Sequence, residues 1–269
     1  MVQKTFAIYT DAALTASSLQ LELGSTHLAC WTQDEQTQLV QTFELFEFDE
    51  DKTDDFAEVF RQVKLYSKLL EASFDTVAVT WENEECLLVP AVYAGRIPAA
   101  DCLNFAYGYS PGSVVGQREL SNSIALFRFP QSWKQVLEGH FPDAQYNHKF
   151  QHMYRSAGND GARVFFYRGH FLLTLYSNGQ LQLVQRFVYQ TPEDVVYHIL
   201  NTFERNGLAA ETATVQVSGL IDLRSSLYTE LYKYLHNLKV EEAADCIPDT
   251  EAFREYPLHY FLPFFKTAA

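Results

Sequence analysis

No apolar run in this 269-residue chain approaches the ~20 residues that a helix needs to cross a bilayer. Nothing near residues 1–18 has a basic start followed by an apolar core, so neither a membrane span nor a secretory leader is expected. Cysteine is sparse. Cys30, Cys86, Cys102 and Cys246 are scattered without C-x-x-C spacing and read as buried or free thiols of a reducing compartment. Positive charge is scarce as well: 20 Lys and Arg stand against 34 Asp and Glu, a formal charge of −14. A phosphate backbone binds mainly by exchanging counterions for Lys and Arg, so nucleic acid and anionic membrane surfaces are not expected partners. The sequence also lacks any complete catalytic motif. These absences leave an acidic, cytoplasmic, soluble protein as the expectation.

What is present is a pattern stated twice. Three strand-like runs (residues 19–23, 26–31 and 37–48), an amphipathic helix (54–73) and a β-branched strand (76–81) make the first copy. Residues 163–167, 171–176, 181–189, 192–206 and 214–218 repeat that order. The offset of roughly 140 residues is far above solenoid periods, so a duplicated domain is expected and not an array. With 47% apolar and 15% aromatic residues, the chain has enough material for two cores.

Asn178-Gly179 predicts a type I′ hairpin, and the polar stretch 33–36 is its counterpart in the first copy. Thr191, Pro192 and Asp194 predict a capped helix start, with Val195, Val196, Ile199, Leu200 and Phe203 inward. In the first copy Thr53 or Asp54 caps, and Phe56, Val59, Phe60, Val63, Tyr66 and Leu70 face the core. Because each helix leads into a further strand, each copy should be a mixed sheet whose first three strands are antiparallel. Between the copies lie a run at 87–92, a Pro/Gly-rich loop at 95–116, a strand at 124–129, and helices at 131–140 and 146–156. A helix at 225–238 follows the second copy, with Leu227, Leu231, Tyr234, Leu235 and Leu238 inward. The expected division is a first lobe of residues 1–160, with an insertion, and a second lobe of residues 161–269 that ends in an aromatic tail.

Two strand-strand-strand-helix-strand units in tandem resemble the actin-like fold, an α/β fold made of a duplicated ribonuclease-H-like domain. The segment Leu21-Glu-Leu-Gly-Ser-Thr-His27 resembles the first phosphate hairpin of actin, the heat-shock chaperone ATPases and the sugar kinases. There an Asp precedes a Gly-Thr/Ser-Thr turn that cradles phosphate, and the acid organises Mg²⁺ through water. The resemblance puts Glu22 in the acid's place and makes Gly24, Ser25 and Thr26 the cradle. The matching second hairpin, Tyr167-Arg168-Gly169-His170, lacks both the acid and the glycine cluster. Val217-Ser218-Gly219-Leu220 resembles the adenosine-side turn, with Gly219 where two glycines are usual. Phe187, Tyr189, Thr191-Pro-Glu-Asp194, Val196-Tyr197 and Ser226-Leu-Tyr228, with Leu88-Val-Pro90 and His148, are similar to an uncharacterised bacterial family. It is known as a domain of unknown function, thirty-eight twenty-two in its series, with an actin-like fold and no assigned activity.

Three function classes follow. The first is a non-catalytic protein-binding or scaffolding module, a pseudo-ATPase that needs no cofactor. The second is a divergent ATP-binding kinase or ATPase, in which Glu22, Gly24, Ser25, Thr26 and Gly219 would hold ATP and Mg²⁺. The third is a metal-dependent nuclease using Glu22, Glu58 and Glu82, a role the net charge opposes. A metal site on His148 and His152, one helical turn apart, with His140 or Asp143, is weighed and not adopted. The tail packs seven large side chains into residues 256–265. It is expected to lie across the protein's own sheet or to dock a partner through Tyr256, Tyr260, Phe261, Phe264 and Phe265.

Overall fold

The computed structural model describes residues 2–10, 18–49, 54–155, 160–242 and 245–265. Alternating and β-branched runs fold into fourteen described strands, β1 to β14, which make three sheets.

The first sheet contains β1 (Gln3–Tyr9), β2 (Ser18–Gly24), β3 (His27–Gln33), β4 (Val40–Glu47), β5 (Thr76–Glu82) and β9 (Gln145–His148), in the order β1-β4-β3-β2-β5-β9. β3 runs antiparallel to both of its neighbours, β2 and β4, while β5 and β9 run parallel to β2. The second sheet contains β10 (Gly161–Phe166), β11 (His170–Ser177), β12 (Gln180–Val188), β13 (Thr214–Gly219) and β14 (Asn237–Val240), in the order β12-β11-β10-β13-β14. Its directions repeat those of the first sheet. With β1 set aside as an added edge, both sheets read third, second, first, fourth, fifth, which is the expected duplication. The smaller third sheet, β6-β8-β7, lies within the insertion and comprises β6 (Cys86–Pro90), β7 (Ser113–Glu119) and β8 (Ser123–Pro130).

The chain divides into two compact units, residues 1–152 with 248–253, and residues 153–247 with 254–269.

Capping fixes the helices between the strands. In α5 (Pro192–Arg205), Thr191 accepts from the Asp194 amide and Asp194 accepts from the Thr191 amide, a reciprocal capping box behind Pro192. Val195, Val196, Ile199 and Phe203 are buried, as their 3.6-residue spacing requires. In α1 (Phe56–Tyr66) the cap is Asp55, which accepts from Glu58. Asp54 does not have that role, and Thr53 lies outside the described residues. The helix stops at Ser67, so Tyr66 is exposed and only Phe56, Val59, Phe60 and Val63 form its buried face.

Four elements differ from expectation. The stretch 95–116 contains α2 (Ala99–Tyr107) and most of β7. The region 146–156 splits into β9 and α4 (Lys149–Arg155), because residues 145–148 pair in parallel with β5; residue 156 lies outside the described residues. The last helix, α6 (Ser226–Tyr234), ends before residue 238, and Leu238 belongs to β14 instead. β1 was not anticipated at all. The helix at 131–140 is α3 (Gln131–His140).

The tail folds as a short 3₁₀ turn (Leu258–Tyr260) and α8 (Leu262–Phe265), after α7 (Glu251–Arg254). Proline in a first turn lacks only an amide that would be unpaired anyway, so Pro263 does not prevent α8. Phe261, Leu262, Phe264 and Phe265 are buried, α8 contacts β10 and β13, and Phe264 meets Tyr167 edge-on at 5.7 Å. His259 Nε2 lies 3.0 Å from the Ile221 carbonyl. Phe261, Phe264 and Phe265 are therefore core side chains and not a docking patch, whereas Tyr256 and Tyr260 are half-buried.

Replacing a buried aromatic with alanine removes both its transfer energy and its packing contacts. Phe264→Ala should lower stability by about 3–5 kcal/mol in urea unfolding. An unchanged midpoint would contradict the packing described for the tail.

Candidate functional site

β2 lies between β3 and β5 and is buried on both faces: Leu19, Leu21, Glu22 and Leu23 are all at most 1% exposed. A carboxylate on such a strand must find compensation within the protein. Glu22 finds it in Lys149, the first residue of α4, whose Nζ donates to Oε2 at 2.5 Å with both side chains fully buried. On the other oxygen, His27 Nε2 lies 3.3 Å from Oε1. Burial by itself would push the Glu22 carboxyl up; the Lys149 charge and the His27 hydrogen bond outweigh it and hold the carboxyl below the usual range.

Ser25 and Thr26 form the two-residue loop between β2 and β3. His27 folds back over Gly24, so a Cβ at that glycine would lie 2.4 Å from the imidazole Cε1 and 2.9 Å from Glu82 Oε2. Glu82, at the end of β5, is paired in register with Gly24 and is 1% exposed. The Thr26 carbonyl accepts from the Phe48 amide at 2.9 Å. The expected cradle residues thus sit together, and imidazole fills the space above their glycine. In the second unit, the hairpin between β10 and β11 carries the stacked rings of Tyr167 and His170, 4.8 Å apart. Gly219 ends β13 at φ +86°, and a Cβ there would meet the Phe166 carbonyl oxygen at 2.1 Å. Close strand packing therefore requires glycine at that position.

His148 is buried at the end of β9. Its Nδ1 accepts from the Phe150 amide at 3.1 Å, so Nε2 carries the proton and donates to Asn83 Oδ1 at 3.0 Å. Burial pushes this imidazole down to about 3. His152 pairs instead with Thr80 Oγ1 at 3.2 Å, and His140 Nδ1 lies 3.4 Å from Lys64 Nζ. Among the described residues no three His, Cys, Asp or Glu side chains converge on a metal position. The pair His148 and His152 does not share a helix face, because the strand-to-helix boundary falls between them. Nor do the three nuclease carboxylates converge: Glu58 is on the open face of α1, bonded to Arg61 at 2.7 Å.

Sequence reasoning placed Glu22 and grouped it with Glu82, but missed Lys149 and His27 as its partners. The available signal was an acid flanked by Leu21 and Leu23 on a strand with partners on both sides, which demands a buried cation. Nothing local identifies Lys149, which is 127 residues away.

A second buried carboxylate, Glu44 on β4, has its own network. Lys4 Nζ donates to it at 2.7 Å, the Lys68 amide at 3.1 Å, and the Ser67 and Tyr9 hydroxyls also donate. Burial opposes its ionisation, and these donors together hold it below the usual range.

These groups fix the sign of acid sensitivity. Folded His148 protonates only near 3, whereas its unfolded counterpart does so near 6.5, so stability is full above 6.5 and falls with pH below it. Glu22 and Glu44, depressed from 4.5, add a second loss as pH drops below that value. Urea midpoints should therefore decline in two stages, and His148→Gln should shrink the upper one, to which His140, also held below 6.5 by burial and Lys64, contributes. A midpoint independent of pH between 6.5 and 4.5 would contradict this. Removing Lys149 strands the carboxylate, so Lys149→Met should cost about 3–5 kcal/mol, and adding Glu22→Gln should recover part of that loss. Additive costs in that double-mutant cycle would count against the ion pair.

Solved structures share this architecture. A Bacteroides thetaiotaomicron VPI-5482 protein with an actin-like ATPase fold and unknown function aligns with a TM-score of 0.72 at 15% identity, over 83% of this chain and 90% of that one. The PilM-PilN type IV pilus biogenesis complex aligns with a TM-score of 0.60 at 12% identity, over 94% of this chain and 96% of that one. The fold is therefore that of the actin-like ATPases. No curated protein matches the sequence. A family model described as "Protein of unknown function (DUF3822)" matches residues 7–238, and the chain belongs to that family.

Proposed function

We propose that this protein is an actin-like module that works by binding another protein and does not turn over a nucleotide. The observation that carries the reading is the Lys149 ammonium 2.5 Å from Glu22, buried, with His27 on the other oxygen. Phosphoryl transfer on this fold calls for an acid that organises Mg²⁺ and for hairpin amides open to phosphate. Here both oxygens of the acid are committed to protein cations or imidazole, and His27 covers Gly24. That donor set does not fit a magnesium-organising carboxylate. The stacked Tyr167 and His170 at the second hairpin point the same way. The fold has a precedent for such work, since PilM is seen in complex with PilN.

A divergent ATP-binding enzyme is the second reading, and one observation favours it. Gly24, Ser25 and Thr26 keep the short turn between the first two strands, with Glu22 behind it. In that case those residues and Gly219 would contact the nucleotide.

A ligand that binds only the folded state stabilises it by mass action, about 2.7 kcal/mol at a hundredfold excess over Kd. Titration with MgATP should give no saturable heat, and the melting temperature should not move. A saturable isotherm accompanied by phosphate release would overturn the proposal in favour of the enzyme.

A further inference from the structure

The β6-β8-β7 sheet of the insertion exposes a face that its own helix covers only in part. Val89, Ile124 and Glu119 form one cross-strand row, and Leu87, Leu126 and Gln117 the next. Rows two residues apart lie on the same side of a sheet, so these side chains share one face. The following row on that face contains Arg128, which is 2% exposed. Its guanidinium holds Glu85 through two bonds of 2.8 and 2.7 Å, and reaches Asn104 Oδ1 and the Gly108 carbonyl at the end of α2. Arg128 thus anchors the C-terminal half of α2 over one end of the sheet. A nine-residue helix is only about 13 Å long, while the eight residues of β8 extend about 27 Å.

The uncovered end is a cleft of about 520 Å³, within the range of ligand-binding cavities. Leu126, Ile124 and Val89 form its floor, with Ile97 and Cys102 on one side and Glu119 on the other. The apolar surface continues beyond it. Tyr93 and Ile97 at the lip are 57% and 58% exposed, and Val92 and Phe105, which do not line the cleft, are 70% and 95% exposed. Phe105 lies one helical turn from Cys102 and so extends the same side of α2. A contiguous apolar patch of this kind is rarely left bare.

We propose that this cleft is the docking site for an amphipathic helix of a partner protein, with apolar anchors on one face and flanking Lys or Arg. The inference rests on the protein-binding reading and deepens it. Three observations select that occupant. A small molecule filling the cleft would leave Val92 and Phe105 uncovered, whereas a helix lying in the groove covers both cleft and lip. A second copy would bring another formal charge of −14 to the surface, and an anionic membrane would be repelled in the same way. A basic helix complements that charge and meets Glu119, the charged residue lining the cleft.

The full chain should be panned against a phage-displayed library of helix-forming peptides, and the enriched peptides measured by fluorescence anisotropy. The expected consensus has apolar residues at helical spacing flanked by Lys or Arg. Ile97→Lys and Phe105→Lys, both at exposed positions and so compatible with folding, should each weaken binding by about tenfold or more. Glu119→Lys should weaken it chiefly at low salt, and Tyr232→Lys, in the second unit, should leave it unchanged. In a Cys246→Ser background, bound peptide should slow alkylation of Cys102. No enrichment, or enriched peptides insensitive to Ile97→Lys and Phe105→Lys, overturns the proposed site. Self-association abolished by Ile97→Lys overturns it in favour of a second copy, and protection of Cys102 by a small apolar dye when no helical peptide protects it overturns it in favour of a small ligand. None of these outcomes bears on MgATP, so a failure of the cleft and a failure of the non-catalytic reading are separately visible.

Discussion

Two opposite charges, each removed from water, face one another at 2.5 Å in the first unit, and they close a loop of 127 residues. Either charge alone would be prohibitively costly at full burial, so the pair constrains everything between. Lys149 reaches Glu22 only if α4 starts immediately after β9, and β9 stands where it does because it pairs in parallel with β5. β5 in turn lies beside β2, which carries Glu22. The insertion with its third sheet is therefore accommodated between β5 and β9 without changing the strand order shared with the second unit. Under the proposed function, the same pair keeps this carboxylate from serving a metal. One interaction thus serves as a structural lock and as the reason the non-catalytic reading is preferred.

Much of the duplication was legible because its signals are local. The Thr191 to Asp194 box and the period of α5 are read within a few residues of one another. Asn178 and Gly179 both adopt the positive φ that their turn type demands. Elements were lost where one signal served two structures. Pro98 and Gly108 punctuate a loop and a helix equally well, and here they bracket α2, with Pro98 as its N-cap and Gly108 as its C-cap. Leu235 and Leu238 keep a helical spacing, yet the first ends α6 and the second lies in β14. Residues 145–156 carry no Gly or Pro to mark the step from strand to helix, so the parallel pairing with β5 alone decides it.

The candidate site was half legible for a different reason. Glu22 stands in a recognisable hairpin, whereas its partners become visible only when distant strands are assembled. The imidazole of His27 closes over Gly24 because the two residues flank the two-residue loop of their hairpin, and Lys149 arrives from the far side of the insertion. The aromatic tail shows the converse. Its composition is conspicuous, but composition does not distinguish a surface that binds a partner from one that completes a core, and Phe261 and Phe264 complete the core of their own unit.

The central claim is that Glu22 is permanently engaged by Lys149 and is not a metal organiser. Side-chain nitrogen NMR of the lysine ammonium groups tests it most directly. The account predicts a Lys149 signal protected from solvent exchange, lost together with that protection in Glu22→Gln, and unmoved by MgATP. A Lys149 ammonium exchanging like a surface lysine, or one that shifts on addition of MgATP, would contradict it.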